Sequence, residues 1–120
     1  MSNPQKATPV EAFLPLTDVA FEILLALATG ERHGYAILQE VERRTGGVMR
    51  LYPGTLYRAL ARLLDDELIE EVEGPAADDP RRRYYQLTPL GRRVASAEAA
   101  RLASQVAAAV ALDLLPEGAR

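Results

Sequence analysis

In residues 50–66, RLYPGTLYRALARLLDD, a Pro-Gly pair leads into a helix with two chemically different faces, and the rest of the chain can be interpreted as its support. At about 100° per residue, one side of the helical wheel carries four leucines: Leu56, Leu60, Leu63 and Leu64. The opposite side carries Thr55, Arg58, Ala59 and Arg62. The leucine face predicts a helix packed on a small core, and the short basic face is typical of a helix that enters a DNA groove.

The composition indicates one globular domain, or a small domain with a dimerising extension, in a chain of 120 residues. There is no cysteine and only one histidine, so we expect no metal site, no cofactor and no catalytic dyad. No apolar run approaches the ~18 residues of a membrane-spanning helix, and no secretory signal is visible at the N-terminus. We therefore expect a cytoplasmic protein without a membrane partner.

The charges of the chain are segregated. A net charge of -3 argues against nucleic acid as a partner, but phosphate binding depends on one basic surface more than on the total. Residues 32–62 hold six arginines against two glutamates, and residues 81–93 hold five arginines and no acid. Eight carboxylates lie in residues 65–79 without a base. The alternative is a solvated acidic loop with scattered arginines.

The order of predicted elements indicates a winged helix, a helix-turn-helix variant in which three helices are followed by a β-hairpin called the wing. Residues 1–15, with three prolines, predict a flexible N-terminal arm. Helices are predicted from Thr17 or Asp18 to near Gly30, over 34–44 and from Pro53, strands over 68–73 and 82–88, and a long helix over 90–115. The fold expected is mainly α with a small β-hairpin: a winged-helix domain at 16–88, then a C-terminal dimerisation helix and tail at 89–120.

Two helices carry apolar residues that a single small domain would leave in water. In the first helix, Phe21 and Leu25 lie away from the main apolar stripe. In the last helix, the apolar residues recur at near-heptad spacing: Ala95, Ala99, Leu102, Val106, Ala109 and Val110. Nine of the 17 residues from 95 to 111 are alanine, which permits close approach of another helix. A homodimer that buries both faces is the simplest expectation.

Three blocks of sequence then point to a family: ILLALATGERHGYAILQEVERRTGG at 23–47, PGTLYRALARLLDDELIEE at 53–71 and RRRYYQLTPLGRR at 81–93. In this order and at these spacings they resemble the PadR-type transcriptional regulators, in the branch with a single C-terminal helix. The resemblance implies a homodimeric winged-helix repressor of palindromic operators, and no enzymatic activity. It also implies release from DNA by a small aromatic or amphipathic effector.

The chain departs from the family pattern at both ends of the helix that begins at Pro53. Glu67 stands where the family usually has glycine, at a cost of roughly 1 kcal/mol if the backbone there needs positive φ. Tyr52 stands where the family usually has a small residue, and it cannot cap the helix as serine would.

The candidate DNA contacts begin at the start of that helix. Thr55 and the amides near Gly54 are expected to bind a phosphate, Arg58 a base edge and Arg62 the backbone. The alternative for this face is a solvated surface in which the arginines pair with Asp65 or Asp66. Further candidates lie at helix ends, on the helix flank and on the wing: Tyr35, Arg50, Pro53, Tyr57, Arg81, Arg82 and Arg83. The alternative for the wing arginines is neutralisation of Asp78 and Asp79.

The remaining expectations are structural. His33 is expected to cap the second helix. The candidate effector surface lies between the C-terminal helices and the first helix. Its lining would be Phe21, Leu102 and Val106, which serve equally well as the core of a dimer. The sequence does not indicate a particular ligand. The rival function is a winged-helix module whose basic face docks an acidic protein without sequence-specific DNA binding.

Overall fold

A computed structural model describes residues 9–118, which form a short 3-10 helix, four α-helices and three β-strands. The 3-10 helix spans Val10–Phe13, and the α-helices are α1 (Asp18–Ala26), α2 (Gly34–Arg44), α3 (Pro53–Asp65) and α4 (Pro89–Ala111). The strands are β1 (Arg32–His33), β2 (Ile69–Val72) and β3 (Tyr84–Leu87). The predicted class is confirmed: three helices, a β wing and a long C-terminal helix.

The wing belongs to a three-stranded antiparallel sheet in which β3 lies between β1 and β2. Ile69 pairs with Leu87 and Val72 with Tyr84, so β2 and β3 form the predicted hairpin with shorter strands than expected. The two-stranded prediction missed β1, in which Arg32 pairs with Tyr85. Two residues are too short to show the alternation by which a strand is recognised in a sequence.

Three of the four α-helices begin with a side-chain cap of the kind that the sequence predicts. The side chain of Thr17 accepts a hydrogen bond from the Ala20 N–H at 3.1 Å, and Thr88 accepts one from Gly91 at 2.9 Å. The Nδ1 atom of His33 accepts from the Ala36 N–H at 3.2 Å, as expected for this histidine. Tyr52 precedes α3 and gives no such bond, so the first turn of α3 keeps its backbone N–H groups for another acceptor.

Helices α3 and α4 are each followed, two positions after their last residue, by a residue in the left-handed backbone region. Glu67 has φ 60°, and the N–H groups of Glu67 and Leu68 bind the carbonyls of Leu64 and Leu63, which is the Schellman pattern. Asp113 has the same φ, and α4 ends at Ala111, before the predicted end at residue 115. Glycine is the residue that this conformation favours, and neither position has one.

The core is built from the apolar sides of all four α-helices and of the sheet. The leucine face of α3 points inward as predicted, with Leu56, Leu60 and Leu63 buried and Leu64 partly buried. Helix α4 crosses this body at Gly91, where a Cβ atom would overlap the carbonyl oxygen of Leu68. Glycine at this position therefore lets α4 lie directly on the chain that enters β2.

The flexible N-terminal arm that we predicted for residues 1–15 lies partly in the described residues, and its flexibility stays a prediction. Residues 1–8 lie outside the described part. Val10–Phe13 forms a 3-10 helix packed against α4, and Val10, Phe13 and Leu14 are partly buried on the core. The prolines interrupt this segment without preventing it from packing, because its apolar side chains find a surface that only the folded α1 and α4 provide.

Candidate nucleic-acid interface

Helix α3 exposes the face opposite its leucines. Tyr57, Arg58 and Arg62 are exposed, Thr55 is partly buried, and Pro53 and Gly54 expose the first turn. Because no side chain caps this turn, its N–H groups and the positive end of the helix dipole face solvent together. The residues predicted to bind DNA on α3 are therefore accessible to solvent, with Thr55 the least exposed of them.

A groove of about 440 Å³ brings α3 together with the start of α2 and with the wing. Five predicted DNA contacts line it: Tyr35, Tyr57, Arg81, Arg82 and Arg83. The other lining residues are His33, Gly34 and Tyr85. A Cβ atom at Gly34 would lie 2.6 Å from the hydroxyl of Tyr57, so a larger residue at position 34 would displace the exposed Tyr57 side chain.

The remaining predicted DNA contacts lie outside this groove: Arg50, Pro53, Gly54, Thr55, Arg58 and Arg62. Arg50 and Arg62 each form an ion pair. Arg50 Nε is 3.1 Å from a carboxylate oxygen of Glu42. Arg62 Nε is 3.3 Å from Asp66, one turn further along α3, and Arg62 also borders a second depression beside Phe13 and Ala20. For Arg62 the structure has the ion pair that the alternative interpretation expected.

The wing arginines also contact carboxylates. Two nitrogens of Arg81 lie 3.1 and 3.2 Å from the Asp79 oxygens, and the Arg81 backbone N–H donates to Asp79 at 2.9 Å. These hydrogen bonds hold the pKa of Asp79 below its ordinary value, and the bonds from the Arg81 side chain have the larger effect. Arg83 Nη1 is 3.5 Å from Glu71 across the hairpin.

Arg82 has two neighbours, Asp78 at 3.6 Å and His33 Nε2 at 3.2 Å. The Nδ1 atom of His33 accepts the Ala36 N–H, so in the neutral ring Nε2 carries the proton and cannot accept from a guanidinium. Asp78 is therefore the electrostatic partner of Arg82. The hydroxyl of Tyr84 donates to the same aspartate, and this bond is the main reason that the pKa of Asp78 is lowered.

Tyr84 is a contributor to the site that the sequence did not single out. Its ring meets His33 edge-on, with centroids 5.3 Å apart and planes at 87°. It is 8% exposed, and together with its bond to Asp78 it joins the wing to the start of α2. The alternation in the sequence placed only Tyr85 and Leu87 on the buried face, whereas both tyrosines are buried.

The predicted dimer residues divide between exposed and partly buried positions. Ala99 and Val106 are exposed, while the others are partly buried: Phe21, Leu25, Ala95, Leu102 and Val110. Ala95 packs against the core of its own chain, since α4 turns the side with Gly91, Val94 and Glu98 inward. Beyond that point an apolar groove of about 840 Å³ runs along α4 and the residues after it, lined by Ala103, Val106, Ala107, Val110, Ala111, Leu115 and Glu117.

Two kinds of feature are absent from residues 9–118. No three or more histidine, aspartate or glutamate side chains come together in a way that could hold a metal ion. Across the same residues, every helix is too short or too polar to cross a membrane.

Comparisons with known proteins agree with this architecture. The chain is 40% identical over 74 residues to a transcriptional regulator of Mycobacterium tuberculosis, covering 62% of this chain and 65% of that protein. The matches to three curated relatives span 64%, 25% and 65% of their lengths.

Solved structures with the same fold include a transcriptional regulator from Clostridium thermocellum, with 31% identity and a TM-score of 0.61, covering 73% of this chain and 84% of that one. Bacillus subtilis PadR in complex with operator DNA shares the fold at 23% identity and a TM-score of 0.56, covering 64% of this chain and 44% of that one. The model of the transcriptional regulator PadR-like family matches residues 23–97. This chain therefore belongs to the PadR-like family of transcriptional regulators.

Proposed function

We propose that this chain is a homodimeric, sequence-specific DNA-binding repressor that acts on a pseudo-palindromic operator. The observation that carries the proposal is the groove in which the exposed flank of α3, the start of α2 and three wing arginines meet. A recognition helix flanked by a basic wing fits a major groove and the phosphates beside it. B. subtilis PadR, a protein of the same fold, has been solved in complex with operator DNA, and this supports DNA as the partner.

In this proposal α3 enters the major groove with its N-terminus first. The uncapped amides of the first turn, with Pro53, Gly54 and Thr55, approach a phosphate, and Arg58 reaches a base edge. Asp65 and Asp66 lie at the far end of α3, where phosphate would repel them, so that end points away from the DNA.

The residues around α3 hold the backbone on both sides. Tyr35 and Tyr57 present hydroxyl groups from the groove, and Arg81, Arg82 and Arg83 follow the phosphates or the adjacent minor groove. Arg50 and Arg62, which do not line the groove of the protein, approach the phosphate backbone of the DNA.

The apolar groove along α4 supports a dimer. A second copy would cover Val106 and Val110, which a single chain leaves in contact with solvent. Two-fold symmetry would then place two copies of α3 about 34–36 Å apart, in successive major grooves of a pseudo-palindrome. Repression follows if such an operator overlaps a promoter.

Induction by a small aromatic or amphipathic molecule completes the proposal and rests on the family. A ligand at the α4 and α1 surface would release DNA only if it bound better to a dimer whose helix spacing no longer matches the operator.

The test is binding of a palindromic duplex from upstream of the gene, compared with random duplex, by the wild-type chain and by Arg58→Ala. We expect Arg58→Ala to lose about 1–3 kcal/mol of discrimination while it retains binding to random duplex. Arg93→Ala is the matched control, since Arg93 is also exposed but lies on α4 and is given no DNA contact by the proposal. Equal discrimination by Arg58→Ala and wild type would contradict the role given to Arg58.

The rival is an interaction module whose basic face docks an acidic protein. The two functions differ in their behaviour at low salt, where phosphate contacts are strongest. A wild-type dimer that binds neither duplex at low salt would favour the rival.

A further inference from the structure

We propose that carboxylates of this chain act as intramolecular competitors of DNA phosphate, so that they lower the sequence-independent affinity and weaken its dependence on salt. The inference rests on the proposed DNA-binding function and concerns how that same surface is regulated. Its basis is the pairing of arginines on the proposed interface.

Six arginines are placed on the DNA face by the proposal, and five of them have a carboxylate within 4.0 Å. The pairs are Arg50–Glu42 at 3.1 Å, Arg62–Asp66 at 3.3 Å, Arg81–Asp79 at 3.1 Å, Arg82–Asp78 at 3.6 Å and Arg83–Glu71 at 3.5 Å. Among the residues 9–118, Arg58 has no carboxylate within this distance. Arg58, to which the proposal assigns a base edge, is thus the one of the six that forms no ion pair in the absence of DNA.

The two wing carboxylates are held in place independently of the guanidinium groups. Asp79 also accepts the backbone N–H of Arg81, and Asp78 also accepts the hydroxyl of Tyr84. Both groups have a lowered pKa, so both are ionised at neutral pH. When an arginine moves to a phosphate, its aspartate therefore stays behind as a fixed negative charge.

This exchange changes the ion balance of binding. A phosphate contact normally releases about 0.9 of a condensed cation from duplex DNA. Where the arginine leaves a carboxylate, that carboxylate takes up a cation, and the net release is smaller. Exposed ion pairs add little to stability, so the exchange is feasible without unfolding the wing. Five paired arginines should therefore give a shallower salt dependence than five free ones.

The experiment measures the affinity for random duplex from about 50 to 200 mM salt for the wild type and for the double variant Asp78→Asn/Asp79→Asn. We expect the variant to bind random duplex more tightly than wild type at low salt. We also expect the ratio of its affinity at 50 mM salt to its affinity at 200 mM salt to exceed the wild-type ratio by about three-fold for each freed arginine. The matched control is Glu70→Gln/Glu73→Gln, which removes the same charge from the same hairpin. Glu70 bonds to Gln86, and neither glutamate is within 4.0 Å of an arginine in the described residues.

The outcomes separate the inference from the proposed function. Equal salt dependence in the control and the aspartate variant would overturn the inference, because the effect would then reflect net charge alone. Wild-type binding with no change in either variant would overturn it as well, and would leave DNA binding intact. Failure of the wild type to bind any duplex at low salt would overturn the proposed function itself. If Asp78→Asn disturbs the wing through Tyr84, Asp66→Asn tests the same exchange on α3, with Asp65→Asn as its control.

Discussion

The carboxylate of Glu98 accepts a hydrogen bond from the backbone N–H of Leu16 at 3.1 Å, which joins the N-terminal segment to the middle of α4. Glu98 is only 2% exposed, and Arg101 supplies two further hydrogen bonds at 2.5 and 3.2 Å. A buried charge is stable only when it is paired and hydrogen-bonded, and Glu98 meets both conditions. This contact holds the N-terminal segment against the inward side of α4.

We expect Glu98→Ala to lower the free energy of unfolding by about 1–3 kcal/mol, because the Leu16 N–H and Arg101 lose their acceptor. Alanine favours helix more than glutamate does, so the loss cannot come from helix propensity. Urea denaturation measures the effect, with Gln105→Ala on the exposed side of α4 as the control. Equal stability of the two variants would show that the Glu98 contact contributes nothing.

The same contact predicts a dependence of stability on acid pH. Hydrogen bonding from Arg101, and then from the Leu16 N–H, lowers the pKa of Glu98 from its ordinary value of 4.5. A lowered folded-state pKa means that the stabilisation is complete above pH 4.5 and is lost as the pH falls through the lower value. We therefore expect the stability advantage of wild type over Glu98→Gln to be constant near neutral pH and to shrink in acid.

Denaturation of both proteins from neutral pH to about pH 3 checks this expectation. Asp78 and Asp79 also have lowered pKa values, but they are present in both proteins and cancel in the difference. An advantage that stays the same throughout the range would mean that Glu98 titrates no differently in the folded and unfolded chains.

These contacts also show which parts of the structure the sequence could predict. The inward leucine face of α3 follows from periodicity within one helix, and the caps at Thr17, His33 and Thr88 follow from residues within three positions of their partners. Such features are local, so a single stretch of sequence contains both partners.

Features that depend on distant partners were missed. The near-heptad pattern of α4 gave no reason to bury Glu98, because its backbone partner lies 82 residues away. Strand β1 has only two residues and exists because β3 offers an edge to Arg32 and His33. At the interface, the arginines and the acidic residues could be identified from the sequence, but their pairing could not. The ion pair between Arg81 and Asp79, for example, depends on the conformation of the wing.

We expect Glu67→Gly to raise the free energy of unfolding by about 1 kcal/mol, because residue 67 has φ 60° at the end of α3. Glu67 also accepts the Thr88 hydroxyl through its backbone carbonyl at 2.7 Å, and glycine retains this bond. Glu67→Ala is the matched control, since it removes the charge and keeps the strained Cβ. Equal stabilisation by both variants in urea denaturation would assign the effect to charge and not to the backbone.

We expect Val106→Glu to convert the proposed dimer into monomers in solution. Val106 is 40% exposed and lies in the apolar groove along α4 together with Ala103, Ala107 and Val110. A carboxylate there would have to lose its water without a partner if a second copy covered the groove. The domain itself should stay folded, because the side of α4 that packs on its own chain is formed earlier in the helix, around Val94.

Light scattering of the variant measures its mass, and Gln105→Glu places the same charge on the other side of α4 as a control. We expect the control to remain a dimer and to bind a two-half-site duplex as wild type does. The Val106→Glu monomer should bind that duplex more weakly, since each recognition helix then binds without the second one held nearby. A Val106→Glu chain that remains dimeric would place the dimer interface on another surface, and the partly buried Phe21 and Leu25 of α1 would then be the next residues to substitute.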